Sequence, residues 1–225
     1  MDQKEIERWP FLLLILPIVF SVLALATGLF FFKGAVAGSC ALILLFYFNR
    51  SMQANGDVWL IIAAFAFSIA GDWFLSNKGD NFLMFAAGIG LFFFAHVGYM
   101  GYALKNGSFA KMLTLAVLLG YLLFFILSLA PAIDNMVLKT ATLIYLIISC
   151  LSLGAAAGIK VPPLSKWLYF FGITMILFSD TIIAMHEFVG NSRLSFLILP
   201  TYYLAQISVT LSVLIRKSGH NSKDS

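Results

Sequence analysis

Charge is what this sequence lacks most. Only 11% of its 225 residues are Asp, Glu, Lys or Arg, against roughly a quarter in a soluble domain. Hydrophobic residues make up 61%, and the mean hydropathy is +0.97. A water-facing globular surface is thereby excluded, and most of the chain must face lipid or other helices. Cysteine is scarce too: Cys40 and Cys150 stand in separate apolar runs without zinc-like spacing, so they read as small buried hydrophobes. The three histidines are widely spread, which argues against a histidine metal site. There is no Gly-x-Ser-x-Gly elbow, His-Glu-x-x-His or P-loop, and no linker, low-complexity run or extramembrane domain. The net charge of +4 fits basic cytoplasmic loops better than a nucleic-acid surface.

About 20 apolar residues span a bilayer as a helix. Eight such segments follow one another, at 11–31, 33–49, 58–77, 82–104, 112–130, 136–157, 165–187 and 194–215. The expected architecture is an all-α polytopic membrane protein, one eight-helix domain over residues 1–225. It has a short cytoplasmic N-terminus (1–10), a polar, mobile tail (216–225), and a second segment that is the short one. Lys4 and Arg8 before Ala24-Leu25-Ala26 resemble a cleaved signal peptide. That reading is rejected, because the apolar run continues through Phe32. With the N-terminus inside, ten basic residues fall in cytoplasmic segments and four outside: Lys33, Lys78, Lys139 and Arg193. Both termini are therefore expected in the cytoplasm.

Two of these segments carry a carboxylate. One reads FAFSIAGDWFLS (65–76) with Asp72, the other GITMILFSDTIIA (172–184) with Asp180. A charge at that depth costs at least about 2.5–3.5 kcal/mol on insertion scales, so such residues normally face a cavity or a partner. The third and seventh segments both run outward, and both acids sit in their outer halves. At 1.5 Å per residue, Asp72 lies about 8 Å and Asp180 about 10 Å below the outer ends. Two acids at one site can divide the labour, one protonated and donating, the other ionised and accepting. The plainer alternative is that each only ties helices together by buried hydrogen bonds.

Polar residues on other segments could meet them. His96 and Tyr99 are three apart in GLFFFAHVGYMGYAL (90–104) and share a helix face. His96 is an acid, base or donor candidate, or simply a satisfied core residue. It lies about 21 Å below the outer end of its segment, deeper than the acids, which counts against direct contact unless that helix tilts or begins later. In PTYYLAQ (200–206), Tyr203 and Gln206 share a polar face, whereas Tyr202 points elsewhere and packs. Gln206 needs a partner in lipid, and helix–helix glue would serve equally. Lys33 and Lys139 stand at the outer starts of their helices, where either could neutralise a phosphate; snorkelling is the commoner fate, above all for Lys139. Asp80, His186, Glu187 and Arg193 read as loop residues.

These landmarks recur in order. Lys33 precedes Asp72 by 39 residues and Lys139 precedes Asp180 by 41; His96 follows Asp72 by 24 and Gln206 follows Asp180 by 26. Two same-direction four-helix repeats about an axis along the membrane normal would give this pattern, with a site between the halves.

FSIAGDWFL (67–75), His96-x-x-Tyr99, LFSDTIIA (177–184) and TYYLAQ (201–206) resemble the YhhN/TMEM86 family over about residues 30–215. Its characterised members are lysoplasmalogenases, integral membrane alkenyl ether hydrolases. That family often has Lys-Pro at the start of the second helix; here Lys33 is followed by Gly34. The resemblance implies cleavage of the sn-1 vinyl ether of a lysoplasmalogen, a lysophospholipid taken from the surrounding membrane lipid. The products would be a fatty aldehyde and glycerophosphoethanolamine or glycerophosphocholine. Asp72 and Asp180 would be the catalytic pair, in an unassigned order. Lys33, His96, Tyr99, Tyr203 and Gln206 would bind the substrate. No cofactor, metal or nucleic acid is called for, and the expected location is the cell membrane, in a bacterium the inner membrane. A proton-coupled transporter or a lipid-binding membrane protein is the competing reading, although no pair of Gly/Pro-broken helices supports it.

Overall fold

The structure, a computed structural model, describes residues 9, 11–50 and 56–221. Among the described residues, eight helices from Ile15 onward build the bundle: α1 (Ile15–Thr27), α2 (Phe30–Arg50), α3 (Val58–Asn77), α4 (Phe82–Lys105), α5 (Lys111–Phe124), α6 (Met136–Ala157), α7 (Pro163–Val189) and α8 (Ile198–Asn221). A π-helical turn, Phe125–Leu129, prolongs α5, and a 3-10 turn, Ser195–Leu197, leads into α8. Among the described residues there is no strand. Among these residues seven helices are long and apolar enough to cross a membrane, and the apolar stretch Phe11–Thr27 is shorter. The chain is thus an all-α, multi-pass membrane protein.

Three expectations are corrected here. The short element is the first, not the second. Gly28, at φ 69°, turns the chain left-handed and donates its N–H to Ala24 O at 2.9 Å, so the first helix stops at Thr27 rather than 31. The second then gains a turn at its start, from Phe30. His186 and Glu187 are helical rather than loop residues, because α7 continues until Gly190 caps it, at φ 72°. The tail expected from residue 216 is helical through Asn221; the remainder, like residues 1–8, lies outside the described residues.

Asparagines start the helices that matter for the site. Asn81 Oδ1 accepts from the N–H groups of Leu83 and Met84 at the head of α4. Asn135 does the same for Val137 and Leu138 at the head of α6. α3 packs most extensively on α4, and α7 on α8; α4 also lies along α6, and α2 along α8. Small residues set these crossings. A Cβ on Gly98 would stand 2.6 Å from Leu60 O of α3, and one on Gly172 would stand 3.0 Å from Ala205 O of α8. Membrane helices approach this closely only where the side chain is absent. Large apolar side chains such as Met112, Leu119 and Leu127 of α5 and its extension, and Val22 of α1, are left facing outward, as a lipid-facing surface requires.

The two ends of the bundle differ. At the end holding the turns 105–111 and 157–163, Asp57 accepts hydrogen bonds from Asn106 Nδ2 at 2.7 Å and from Arg216. Arg216 also donates to Asn106 Oδ1 at 2.6 Å and lies over the Tyr102 ring. Burial pushes the Asp57 carboxyl up, but the hydrogen bonds from Arg216 and Asn106 and the guanidinium charge outweigh it, and the carboxyl sits below its ordinary 3.8. This cluster fastens the ends of α3, α4 and α8. At the other end, where α3 finishes and α4 begins, the bundle opens into a cavity.

Candidate active site

The cavity has a volume of about 320 Å³. Asp72 from α3 and Asp180 from α7 both line it, with Lys33 from α2, Lys78 at the end of α3, Glu187 from α7 and Tyr202 from α8. Lys33 and the two carboxyl groups, from three different helices, thus share one chamber.

Asp180 is the better held of the two. Tyr145 on α6 donates its hydroxyl to Asp180 Oδ2 at 2.7 Å, and His96 Nε2 lies 3.2 Å from the same oxygen and 3.1 Å from the Tyr145 hydroxyl. His96 is 1% exposed and its Nδ1 is buried without a partner. We therefore assign the neutral tautomer with the proton on Nε2, which leaves no buried N–H unsatisfied. Direct contact between His96 and Asp180 overcomes the difference in depth read from the sequence. α4 does begin where expected, but α7 extends two residues beyond 187, so Asp180 lies about 14 Å from its end. Side chains lean toward a helix N-terminus. α4 and α7 run oppositely, so His96 leans toward the open end and Asp180 away from it.

Asp72 is held loosely. Its Oδ2 is buried with no hydrogen-bond partner. The Tyr202 hydroxyl is close enough to influence it, yet it stops short of hydrogen-bond geometry. The hydroxyls of Tyr99 and Tyr202 approach Ser68 in the same manner. Buried polar atoms without partners are rare in native proteins, and two of these, Asp72 Oδ2 and the Tyr202 hydroxyl, belong to residues that line the cavity. Two smaller apolar spaces adjoin Asp180. One, about 50 Å³, lies among Phe85, Ile89, Phe92 and Phe188; the other, about 40 Å³, lies among Tyr121, Phe124, Leu129 and Leu146. Asp180 thus stands between a polar chamber and apolar recesses.

The residues singled out by sequence divide into two groups. Asp72, Asp180 and Lys33 share the cavity, and His96 reaches it through Asp180. Tyr99, Tyr203 and Gln206 do not line it. Tyr99 packs edge-on against His96 at 6.2 Å and accepts the Tyr169 hydroxyl on its backbone carbonyl at 2.7 Å. Tyr203 packs among Ala24, Val36 and Phe92. Gln206 is fully buried, with both amide atoms unpartnered. The expectation that Tyr202 points away is corrected: it lines the cavity and packs edge-on to Phe92. Lys139 is not part of the lining. Sequence reasoning missed Tyr145 altogether. Its signal was a polar stripe on an apolar helix, Thr142, Tyr145 and Ser149, at spacings of three and four.

Fold and site together define a multi-pass membrane protein with two carboxylates in one intramembrane chamber. The chain belongs to the YhhN family, whose model matches residues 30–213. No curated protein and no solved structure matches it.

Proposed function

We propose that the protein is a lysoplasmalogenase-type hydrolase that cleaves the sn-1 vinyl ether of a lysophospholipid by carboxylate acid–base catalysis. The observation that carries this reading is that Asp72 and Asp180 line a single chamber. Membership of the YhhN family supports the reaction class, and apolar recesses beside a polar chamber suit a lipid lying with its ether bond at Asp180.

The chemistry needs one proton donor and one base. Asp72, whose Oδ2 meets no donor, is the group placed to carry the proton and give it to the β-carbon of the vinyl ether. The electron pair of the double bond forms the new C–H bond, and an oxocarbenium ion remains at the α-carbon and oxygen. Asp180, which accepts from Tyr145 and His96, is the ionised partner. It stabilises the cation and takes a proton from the water that adds to the α-carbon. The resulting hemiacetal collapses to a fatty aldehyde and the glycerol hydroxyl, and one water is consumed overall. Glycosidases use two carboxylates around a similar cation.

The accompanying topology is eight spans in one domain, both termini in the cytoplasm, and the chamber opening toward the outer face of the cell membrane. The paired packing of α3 on α4 with α7 on α8, and of α4 on α6 with α8 on α2, supports two same-direction repeats. The decisive experiment incubates purified protein in detergent with a lysoplasmalogen and scores aldehyde. An enzyme turns over without a gradient. No aldehyde from wild type, or full turnover by a folded Asp180→Asn protein, removes the reading.

A further inference from the structure

The mouth of the chamber carries charges that the acid–base chemistry does not use. Lys78 closes α3, and Glu187 lies in the last turn of α7. They meet across the opening at 2.9 Å, and each side chain keeps 24% of its surface exposed. Lys78 also sits 5.1 Å from the Phe85 ring centroid. Lys33 lines the same chamber. The mouth therefore offers two cations and one anion, on three different helices.

A partly exposed ion pair contributes at most about 1 kcal/mol, so its members exchange partners cheaply. What replaces the pair must satisfy both charges. A lone phosphate would meet Lys78 and Lys33 but leave Glu187 facing negative charge. A ligand carrying phosphate and ammonium, separated by two carbons, satisfies all three groups.

We propose that Lys78 and Glu187 form a headgroup reader for a zwitterionic lysophospholipid, with the phosphate taken by Lys78 and Lys33 and the ammonium by Glu187. This rests on the lipid-hydrolase reading of the chamber and adds two residues to it. Glu187 carries the selectivity, because it repels a purely anionic headgroup as well as attracting an ammonium. Lys78 carries affinity for any phosphate.

The test measures binding, not turnover. Full-length protein in neutral detergent is titrated with saturated 1-O-alkyl lysophospholipids, which have no vinyl ether to cleave, bearing phosphoethanolamine or phosphoglycerol. Wild type is expected to bind the ethanolamine lipid about tenfold tighter, a difference of about 1.4 kcal/mol. Glu187→Gln should abolish that preference, and Glu187→Asp, which keeps the charge, should restore it. Lys78→Gln should weaken both lipids alike. No preference in wild type, or an equal loss for both lipids in Glu187→Gln, overturns the inference. If Glu187→Gln does not fold, Glu187→Asp and Lys78→Gln decide: the preference must survive in both, and its loss in either overturns the inference. Headgroup preference without aldehyde release would defeat the hydrolase reading alone; aldehyde release without headgroup preference would defeat this inference alone.

Discussion

Tyr145 and Asp180 meet at 2.7 Å across the seam between α6 and α7, with the phenol as donor and the carboxylate as acceptor. Removing that donor leaves His96 as the remaining contact on the same oxygen. Tyr145→Phe should lower kcat/KM for aldehyde release by roughly tenfold to a hundredfold, less than the ~10²–10⁴ expected for a general acid or base. Steady-state kinetics on the folded variant checks this, and unchanged kinetics would show that Tyr145 only packs.

The two carboxylates should separate in their pH dependence. A proton donor is lost as pH rises, and a base is lost as pH falls. Asp72→Asn should therefore lack the high-pH limb of the kcat/KM profile, and Asp180→Asn the low-pH limb, each at ~10²–10⁴-fold lower rate. Reversed limbs would exchange the two assignments.

Helix packing offers a test independent of chemistry. A Cβ on Gly98 would lie 2.6 Å from the Leu60 carbonyl, backbone that has no rotamer with which to yield. Gly98→Ala should destabilise the protein by about 1–3 kcal/mol. Gly90→Ala, where a Cβ meets nothing within 4 Å, should not. Thermal unfolding in one detergent compares the pair.

At the opposite end, the Asp57 carboxyl is held below its ordinary 3.8 by Asn106 and Arg216, against the upward push of burial. Folding thus favours the ionised form. The stabilisation is fully present above the unfolded value and is lost as pH falls through the lower folded value. Asp57→Asn should destabilise the protein at neutral pH by about 3 kcal/mol, the cost of an uncompensated guanidinium, and so lower its Tm. The gap from wild type should narrow in strong acid. A constant gap down to the lowest accessible pH would mean that the charge contributes nothing.

Topology is open to reporters. Fusions after Ser225 and within the turn 190–195 should report opposite sides of the membrane, with the C-terminal one cytoplasmic. The same side for both would remove the eight-span arrangement.

Much of this protein follows from local properties of its chain. Hydropathy alone marks eight apolar segments, because a helix satisfies its backbone groups internally whatever surrounds it; among the described residues seven helices prove long enough to cross a membrane and the first is shorter. Rise per residue puts Asp72 and Asp180 in the C-terminal halves of α3 and α7, and the motifs around them point to the family. Rotation of each helix about its axis is another matter, since it depends on which neighbour a small residue admits. Gly98 against the Leu60 carbonyl and Gly172 against the Ala205 carbonyl set two of those rotations. Helix rotations of this kind decide that Tyr202 rather than Tyr203 faces the chamber, that Tyr145 of α6 arrives beside Asp180, and that Gln206 stays buried away from it. The lean of side chains on antiparallel helices lets His96 reach an acid that simple depth put out of range. The Lys78–Glu187 pair joins residues 109 positions apart, a proximity that no local pattern encodes and that only the assembled bundle creates.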